Sequence, residues 1–399
     1  MGAHVLSMLG FATYAALLPD LRDLWKLSNT EAGLIGSAFF GGYIATVSYW
    51  TALTDRVDGR RIYAVGSLLA FAGAAGFGFA AEGLWSAALF QALLGAGVAG
   101  TYMPGLRLLS DRVAGPLQSR YIAFYTSFFG IGFALSLALA GYLNATRGWQ
   151  PAFIVSSAGP LLAGMVVFAF VRKSEVQENK RIKFSLATLF PVAAWRKVLA
   201  NRAAAGYTLG YAVHCVELFG SRGWMVAFLA FSAGLQAPGA GFPWNLAAIA
   251  AVVNLVAVPS SILGNEAALR MGRGRWILIA MAASGATGIL LSLIAPLHWA
   301  IVLALLVAHA LLVMADSGTL TAGLVGTVAP ELRGAALGMY SLAGFAGGMV
   351  GPPLFGFALD VAGGQASAAA WVWAYVAIGA GGLAAPLVAR TLGRARASR

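Results

Sequence analysis

The chain has 399 residues, of which 60% are hydrophobic and only 10% charged, with a formal net charge of +12. That balance excludes a soluble globular domain and describes a polytopic helical membrane protein. The 51 glycines suit close helix approach in lipid, and the single cysteine, Cys215, excludes an intrachain disulfide.

Twelve apolar segments are expected to cross a hydrocarbon core of about 30 Å as helices, because backbone in lipid must satisfy its own hydrogen bonds. They run Ala3–Pro19, Gly33–Leu53, Ile62–Ala81, Leu84–Leu109, Tyr121–Leu143 and Pro151–Val171, then Ala205–Gly234, Leu246–Gly264, Trp276–Ala295, Trp299–Thr321, Ala335–Leu359 and Ala368–Val388. No cleavable signal peptide is expected, since the N-terminus has no basic region and the first apolar run ends in Leu17-Leu18-Pro19-Asp20 without a small-residue cleavage pattern. That first run is short for a span.

Between the second and third segments lies a tight basic loop, Asp55-Arg56-Val57-Asp58-Gly59-Arg60-Arg61. All but four of the 26 Lys and Arg fall in this loop, in its even-numbered counterparts or in the C-terminal tail; the exceptions are Arg22, Lys26, Arg147 and Arg222. Positive loops resist translocation, so both termini are expected in the cytoplasm and the loops account for the net charge without nucleic acid. The basic stretch 172–204 divides the chain, and Ser185–Trp195 within it is apolar enough to lie along a membrane surface; a plain linker is the competing reading.

The two halves read as copies. Tyr125-Thr126 before Gly141 repeats as Tyr340-Ser341 before Gly356 at a constant offset of 215, and Arg56, Gly59, Arg60 and Arg61 repeat loosely as Arg270, Gly272, Arg273 and Arg275. The basic loop resembles the signature between helices 2 and 3 of major facilitator superfamily (MFS) transporters, in which Asp-Arg-x-Gly-Arg-Arg matches Asp55, Arg56, Gly59, Arg60 and Arg61. It departs from that pattern by one extra residue, and Thr51 stands where the leading glycine would be. The resemblance implies an all-α membrane protein of twelve helices in two pseudo-symmetric six-helix bundles. These would be residues 1–171 and 205–389, joined by a linker at 172–204 and followed by a basic cytoplasmic tail at 390–399. It also implies that this loop, through Asp55 and Arg56 above all, braces the two halves in the outward-facing state.

Ionisable groups inside a span are costly and usually functional. Tyr207, Tyr211, His214 and Glu217 share one face of the seventh segment, and Glu217 lies about 18 Å from its start. His309 and Asp316 are seven residues apart on the tenth segment and are expected on one face of it. In the family pattern helices 1, 4, 7 and 10 line a cavity, which implies proton-coupling roles for His214, Glu217, His309 and Asp316, with His214 relaying to Glu217. A fixed hydrogen bond that merely holds a helix in place is the competing reading of Glu217 and of His309. Asp316 would then be a structural partner of Ser317 or of a loop arginine. Arg107 and Arg222 are the natural partners of an anion; alternatively Arg107 snorkels and Arg222 faces outward. Gly220 and Gly223 flank Arg222 and are expected to break the seventh helix there. Tyr14, Tyr102, Tyr125, Tyr211 and Tyr340 complete the candidate substrate-binding set, each of them otherwise a packing residue.

Two family marks are absent: the fifth segment lacks the glycine–proline motif of antiporters, and Gln91 stands where many proton-coupled members carry arginine. No metal-ligand spacing, P-loop or dinucleotide fingerprint is found, so neither a cofactor nor a metal is expected. The leading expectation is a non-enzymatic secondary transporter of the cytoplasmic membrane. It would work as a monomer and take a small organic solute, an anion being one option, together with a proton. The resemblance within the family leans loosely toward cyanate and small organic anion carriers. A uniporter or exporter of the same fold, an intramembrane enzyme and a ligand sensor are the alternatives.

Overall fold

A computed structural model describes residues 1–54, 56–113, 117–173, 191–237 and 241–384. The described chain is helical throughout and contains no strand. The helices are α1 (Gly2–Ser7), α2 (Thr13–Leu24), α3 (Asn29–Leu53), α4 (Gly59–Ala80), α5 (Leu84–Ser110), α6 (Leu117–Arg147) and α7 (Trp149–Phe170). After the divide come α8 (Val192–Ala200), α9 (Arg202–Leu235), α10 (Leu246–Ala257), α11 (Ser260–Met271), α12 (Arg273–Ile294), α13 (Trp299–Met314), α14 (Ser317–Thr327), α15 (Arg333–Val361) and α16 (Ala368–Gly379). Short 3-10 turns at Pro330–Leu332 and Ala380–Ala384 flank the last two.

Among the described residues nine helical segments are long and apolar enough to cross a membrane, counting α10–α11 and α13–α14 as one segment each. The chain divides into two compact units. The first holds Met1–Leu27, Ala38–Phe190 and Trp244–Leu255; the second holds Ser28–Ser37, Pro191–Pro243 and Val256–Arg399. The boundary cuts through α3 and at the end of α10, so a span can begin in one unit and finish in the other. The second unit ties down the start of α3 through Asp360, whose two carboxylate oxygens accept from the backbone and side chains of Asn29 and Thr30 at 2.6 to 3.0 Å.

Glycine sets the closest helix contacts. In the first unit a Cβ on Gly42 would strike the backbone of Ala92 and one on Gly95 that of Phe39, so α3 and α5 meet backbone to backbone. In the second, Gly347 and Gly351 of α15 take the same part against Ala212 and Val216 of α9. Side chains of any size would separate these pairs, and in lipid such close van der Waals approach replaces the hydrophobic drive.

The structure places the helix breaks differently from the sequence reading. α9 is continuous from Arg202 to Leu235, straight through Gly220 and Gly223. Instead, the first segment is interrupted between α1 and α2, the eighth at Val258-Pro259 and the tenth at Ala315-Asp316. Proline without an N–H accounts for the second of these. At the third, side chains cover the freed carbonyls: Ser260 Oγ donates to Leu311 O at 2.7 Å and Trp276 Nε1 to Ala315 O at 2.9 Å. An interrupted helix is tolerated at membrane depth when neighbouring side chains satisfy it in this way.

In the basic loop Asp55 lies outside the described residues. Asp58 starts α4 by accepting from Arg60 N, and its carboxylate pairs with the Arg60 guanidinium at 2.8 Å. Arg60 also donates to Val171 O at the end of α7. In the second copy Gly272 takes this place at φ +91°, a conformation that suits glycine. The amphipathic segment foreseen at Ser185–Trp195 lies mostly outside the described residues, as does the tail 390–399; α8 and the first turn of α9 occupy the end of the foreseen linker.

Candidate functional site

The second unit gathers the ionisable residues. On α9 the helical repeat sets Tyr211, His214 and Glu217 one turn apart, and each meets a different neighbour. Glu217, 6% exposed, accepts at Oε2 from Ser284 Oγ of α12 at 2.9 Å. The same hydroxyl reaches Met281 O at 3.0 Å. It has one hydrogen and serves one acceptor at a time. Donated to Glu217, the hydrogen answers a carboxylate; donated to Met281, it leaves Oγ free to accept from a protonated Glu217. The pair therefore accommodates both proton states of the carboxyl group without moving.

His309 of α13 sits 1% exposed behind the same serine. Its Nδ1 lies 3.1 Å from Ser284 O and 3.3 Å from Thr287 Oγ1. A carbonyl only accepts, so Nδ1 carries the hydrogen; Nε2, a lone-pair nitrogen whenever the ring is neutral, is buried with no hydrogen-bond partner among the described residues. The edge of Tyr375 from α16 packs on the ring at 5.6 Å.

His214 does not pair with Glu217. Its Nδ1 is 2.7 Å from Asp316 Oδ1, off the line of a hydrogen bond but within ion-pair distance, with both side chains almost wholly enclosed. The break between α13 and α14 explains the partnership. On a continuous helix His309 and Asp316 would share a face; the interruption turns Asp316 toward α9 while His309 faces α12 and α16. Asp316 occupies the cap position of α14 without bonding its N–H groups, so the carboxylate stands at the positive end of a helix and remains available to His214. One turn before His214, Tyr211 stacks on Tyr340 of α15 at 3.8 Å, and the Tyr340 hydroxyl lies 3.0 Å from Thr321 Oγ1. Arg222 is buried on unbroken α9, not outward-facing, and its Nη2 lies 3.5 Å from Met314 Sδ, the last residue of α13.

The remaining candidates belong to the first unit. Tyr102 and Tyr125 meet there, with ring centroids 5.7 Å apart and the Tyr125 hydroxyl donating to Tyr102 O at 2.9 Å. Tyr14 is apart from them, packed near Phe77 at 6.1 Å. Arg107 donates to Thr54 Oγ1 at 2.7 Å and lies 3.7 Å from Asp111, so its head group serves the loop end of α5. Sequence reasoning missed Ser284, Thr287 and Tyr375, which look like ordinary span residues, and it missed His4. His4 lies on α1, 2% exposed, stacked on Tyr125 at 4.1 Å. A signal for it was present: His4 precedes His214 by 210 residues, close to the 215 that separates Tyr125 from Tyr340. Among the described residues no group of three His, Cys, Asp or Glu is placed to hold a metal ion.

The model of the Major Facilitator Superfamily matches residues 1–322. The niacin transporter NiaP of Acinetobacter baylyi is 25% identical over 159 residues, 40% of this chain and 35% of that protein. A probable 4-methylmuconolactone transporter of Cupriavidus pinatubonensis is 26% identical over 176 residues, 42% of this chain and 40% of that protein. The matched region thus spans well under half the length of these curated relatives. Among solved structures, a bacterial homolog of the human lysosomal transporter Spinster in an inward-facing, unoccupied conformation aligns with a TM-score of 0.81. It covers 98% of this chain and 96% of that one at 15% identity, a likeness of fold.

Proposed function

Because the chain belongs to the Major Facilitator Superfamily, we propose that it is a secondary transporter of a small organic solute, driven by protons. In this reading twelve membrane segments, α1–α2, α3 and the short α16 among them, form two halves, residues 1–171 and 205–389. The halves alternate access across the cytoplasmic membrane, with both termini on the cytoplasmic side and the basic loop from Arg56 to Arg61 steadying one state. A single chain suffices. That the relatives named above carry niacin and 4-methylmuconolactone supports a solute of that size.

The observation that supports the proton assignment is the set of buried contacts among ionisable side chains in the second unit. His214 and Asp316 lie within ion-pair distance in the interior, and Glu217 is held by a serine that serves either protonation state. Both arrangements are enclosed, where an ionisable group is retained only for a reason. Arg222, beside the break that exposes Asp316, is the cation that offsets a solute anion or the carboxylate itself.

A thermal-shift screen of small carboxylates and neutral metabolites at two pH values identifies a solute, because a ligand of the folded form raises its melting temperature. Proteoliposomes loaded with that solute then separate coupling from transport. Glu217→Gln is expected to keep counterflow and lose pH-driven accumulation. If both survive, Glu217 is not a coupling group; if wild type itself accumulates nothing under a pH gradient but exchanges solute, the protein is a uniporter.

A further inference from the structure

The first unit contains a buried histidine that the transport scheme does not use. Among the described residues neither ring nitrogen of His4 has a hydrogen-bond partner, although the side chain is almost fully enclosed. Its face lies on Tyr125 at 4.1 Å and 15°, Tyr102 stands tilted beside it at 5.3 Å, and Phe129 closes on Tyr102 at 5.9 Å. Buried polar atoms are nearly always bonded, and one left without a partner calls for an explanation.

The internal repeat supplies one. His214, the counterpart of His4, has the carboxylate of Asp316 against it. Subtracting the offsets of 210 and 215 from Asp316 leads to Leu106 and Thr101, and no residue from Thr101 to Leu106 is acidic, so the first unit has no acid where the second has one. The titratable side chains that touch His4 are Tyr102 of α5 and Tyr125 of α6. α7 contributes none, Tyr63 of α4 is occupied by Ala3 O at 3.1 Å, and the Met1 amino group lies a turn away along α1. Walls of aromatic rings around an imidazole without an acid describe half of an ion pair.

Building on the transporter reading, we propose that His4, Tyr102 and Tyr125 form a ligand site for a planar aromatic carboxylic acid, whose carboxylate takes the place that Asp316 holds in the second unit. The ring of the ligand packs against the tyrosines and Phe129, and its carboxylate pairs with the imidazole. One proton from solution enters with the anion and resides on His4, so the complex is neutral overall. Charge-assisted pairing in an enclosed, aromatic site gives selectivity for ligands that have both a ring and a carboxylate.

The experiment is isothermal titration of the purified full chain with benzoate, benzamide and acetate, in buffers of different ionisation enthalpy. Benzoate is expected to bind with uptake of about one proton, and benzamide and acetate at least about tenfold more weakly. His4→Gln is expected to lose at least about tenfold in benzoate affinity and all of the proton uptake, with the melting temperature of the free protein close to wild type. Labelled-histidine NMR gives an independent readout, in which benzoate converts the His4 resonance to imidazolium. No benzoate binding to wild type, equal binding of benzamide, or an unchanged affinity in His4→Gln would each overturn the site. The transport reading is tested separately: a wild type that accumulates another solute while His4→Gln binds benzoate normally refutes this site alone.

Discussion

His4 and His214 begin from similar positions. Each lies on the first apolar segment of its half, each is close to a tyrosine pair, and each is almost wholly buried. Their neighbours then diverge. Around His4 the first unit sets Tyr102 and Tyr125, with Phe129 behind Tyr102, and no hydrogen bond to either nitrogen among the described residues. Around His214 and one turn beyond it the second unit sets Asp316, Glu217, Ser284 and His309, so that most of the polar atoms have partners. The two environments thus differ in kind, with aromatic rings around one histidine and ionisable and hydroxyl groups around the other. The helix break at Ala315-Asp316 makes the difference physically possible, because it turns a carboxylate toward α9 that a continuous helix would direct elsewhere.

That contrast has measurable consequences for stability. Asp316→Ala leaves His214 without its buried partner, and breaking such a pair costs about 3–5 kcal/mol. His4→Gln removes no protein hydrogen bond and is expected to cost under about 1 kcal/mol. Chemical unfolding in detergent reads both, and equal losses would mean that the two histidines are held alike. A smaller effect is expected at Ser284. Ser284→Ala removes the donor from Glu217 and costs about 1–3 kcal/mol, whereas the double change Glu217→Leu with Ser284→Ala, which removes both partners, recovers most of that loss. A double variant as unstable as the sum of the single ones would show that serine and glutamate do not act as a unit. The smallest effect is the one in which the two units should agree. Tyr125→Phe and Tyr340→Phe each delete one phenol hydrogen bond, to Tyr102 O and to Thr321, and each is expected to cost about 1 kcal/mol. Clearly unequal costs would show that the repeat is not retained at this position.

Hydropathy made the spans legible, since a helix is the only way to bury twenty apolar residues of single chain in lipid. Their ends fell within a few residues for most, as with Leu84–Leu109 against Leu84–Ser110. The breaks were not legible. Gly220 and Gly223 look like a hinge, but both face α15, with Gly351 and Pro352 against them, and the helix runs through them unbroken. Ala315-Asp316 carries no proline or glycine, and what permits its break is Ser260 and Trp276 on other helices. The ionisable residues of the second unit could be found because charge is rare in a span. Their pairing could not, because Ser284 and Thr287 are indistinguishable from ordinary small span residues. His4 escaped notice because it lies at the edge of a short first segment, where a histidine reads as interfacial.

The central claim is that proton coupling resides in the second unit. The most direct test measures pH-driven accumulation and solute counterflow side by side in proteoliposomes of wild type, Glu217→Gln and Asp316→Asn. Normal counterflow with accumulation lost in both variants is the predicted result. Accumulation equal to wild type in both, with counterflow intact, would contradict it.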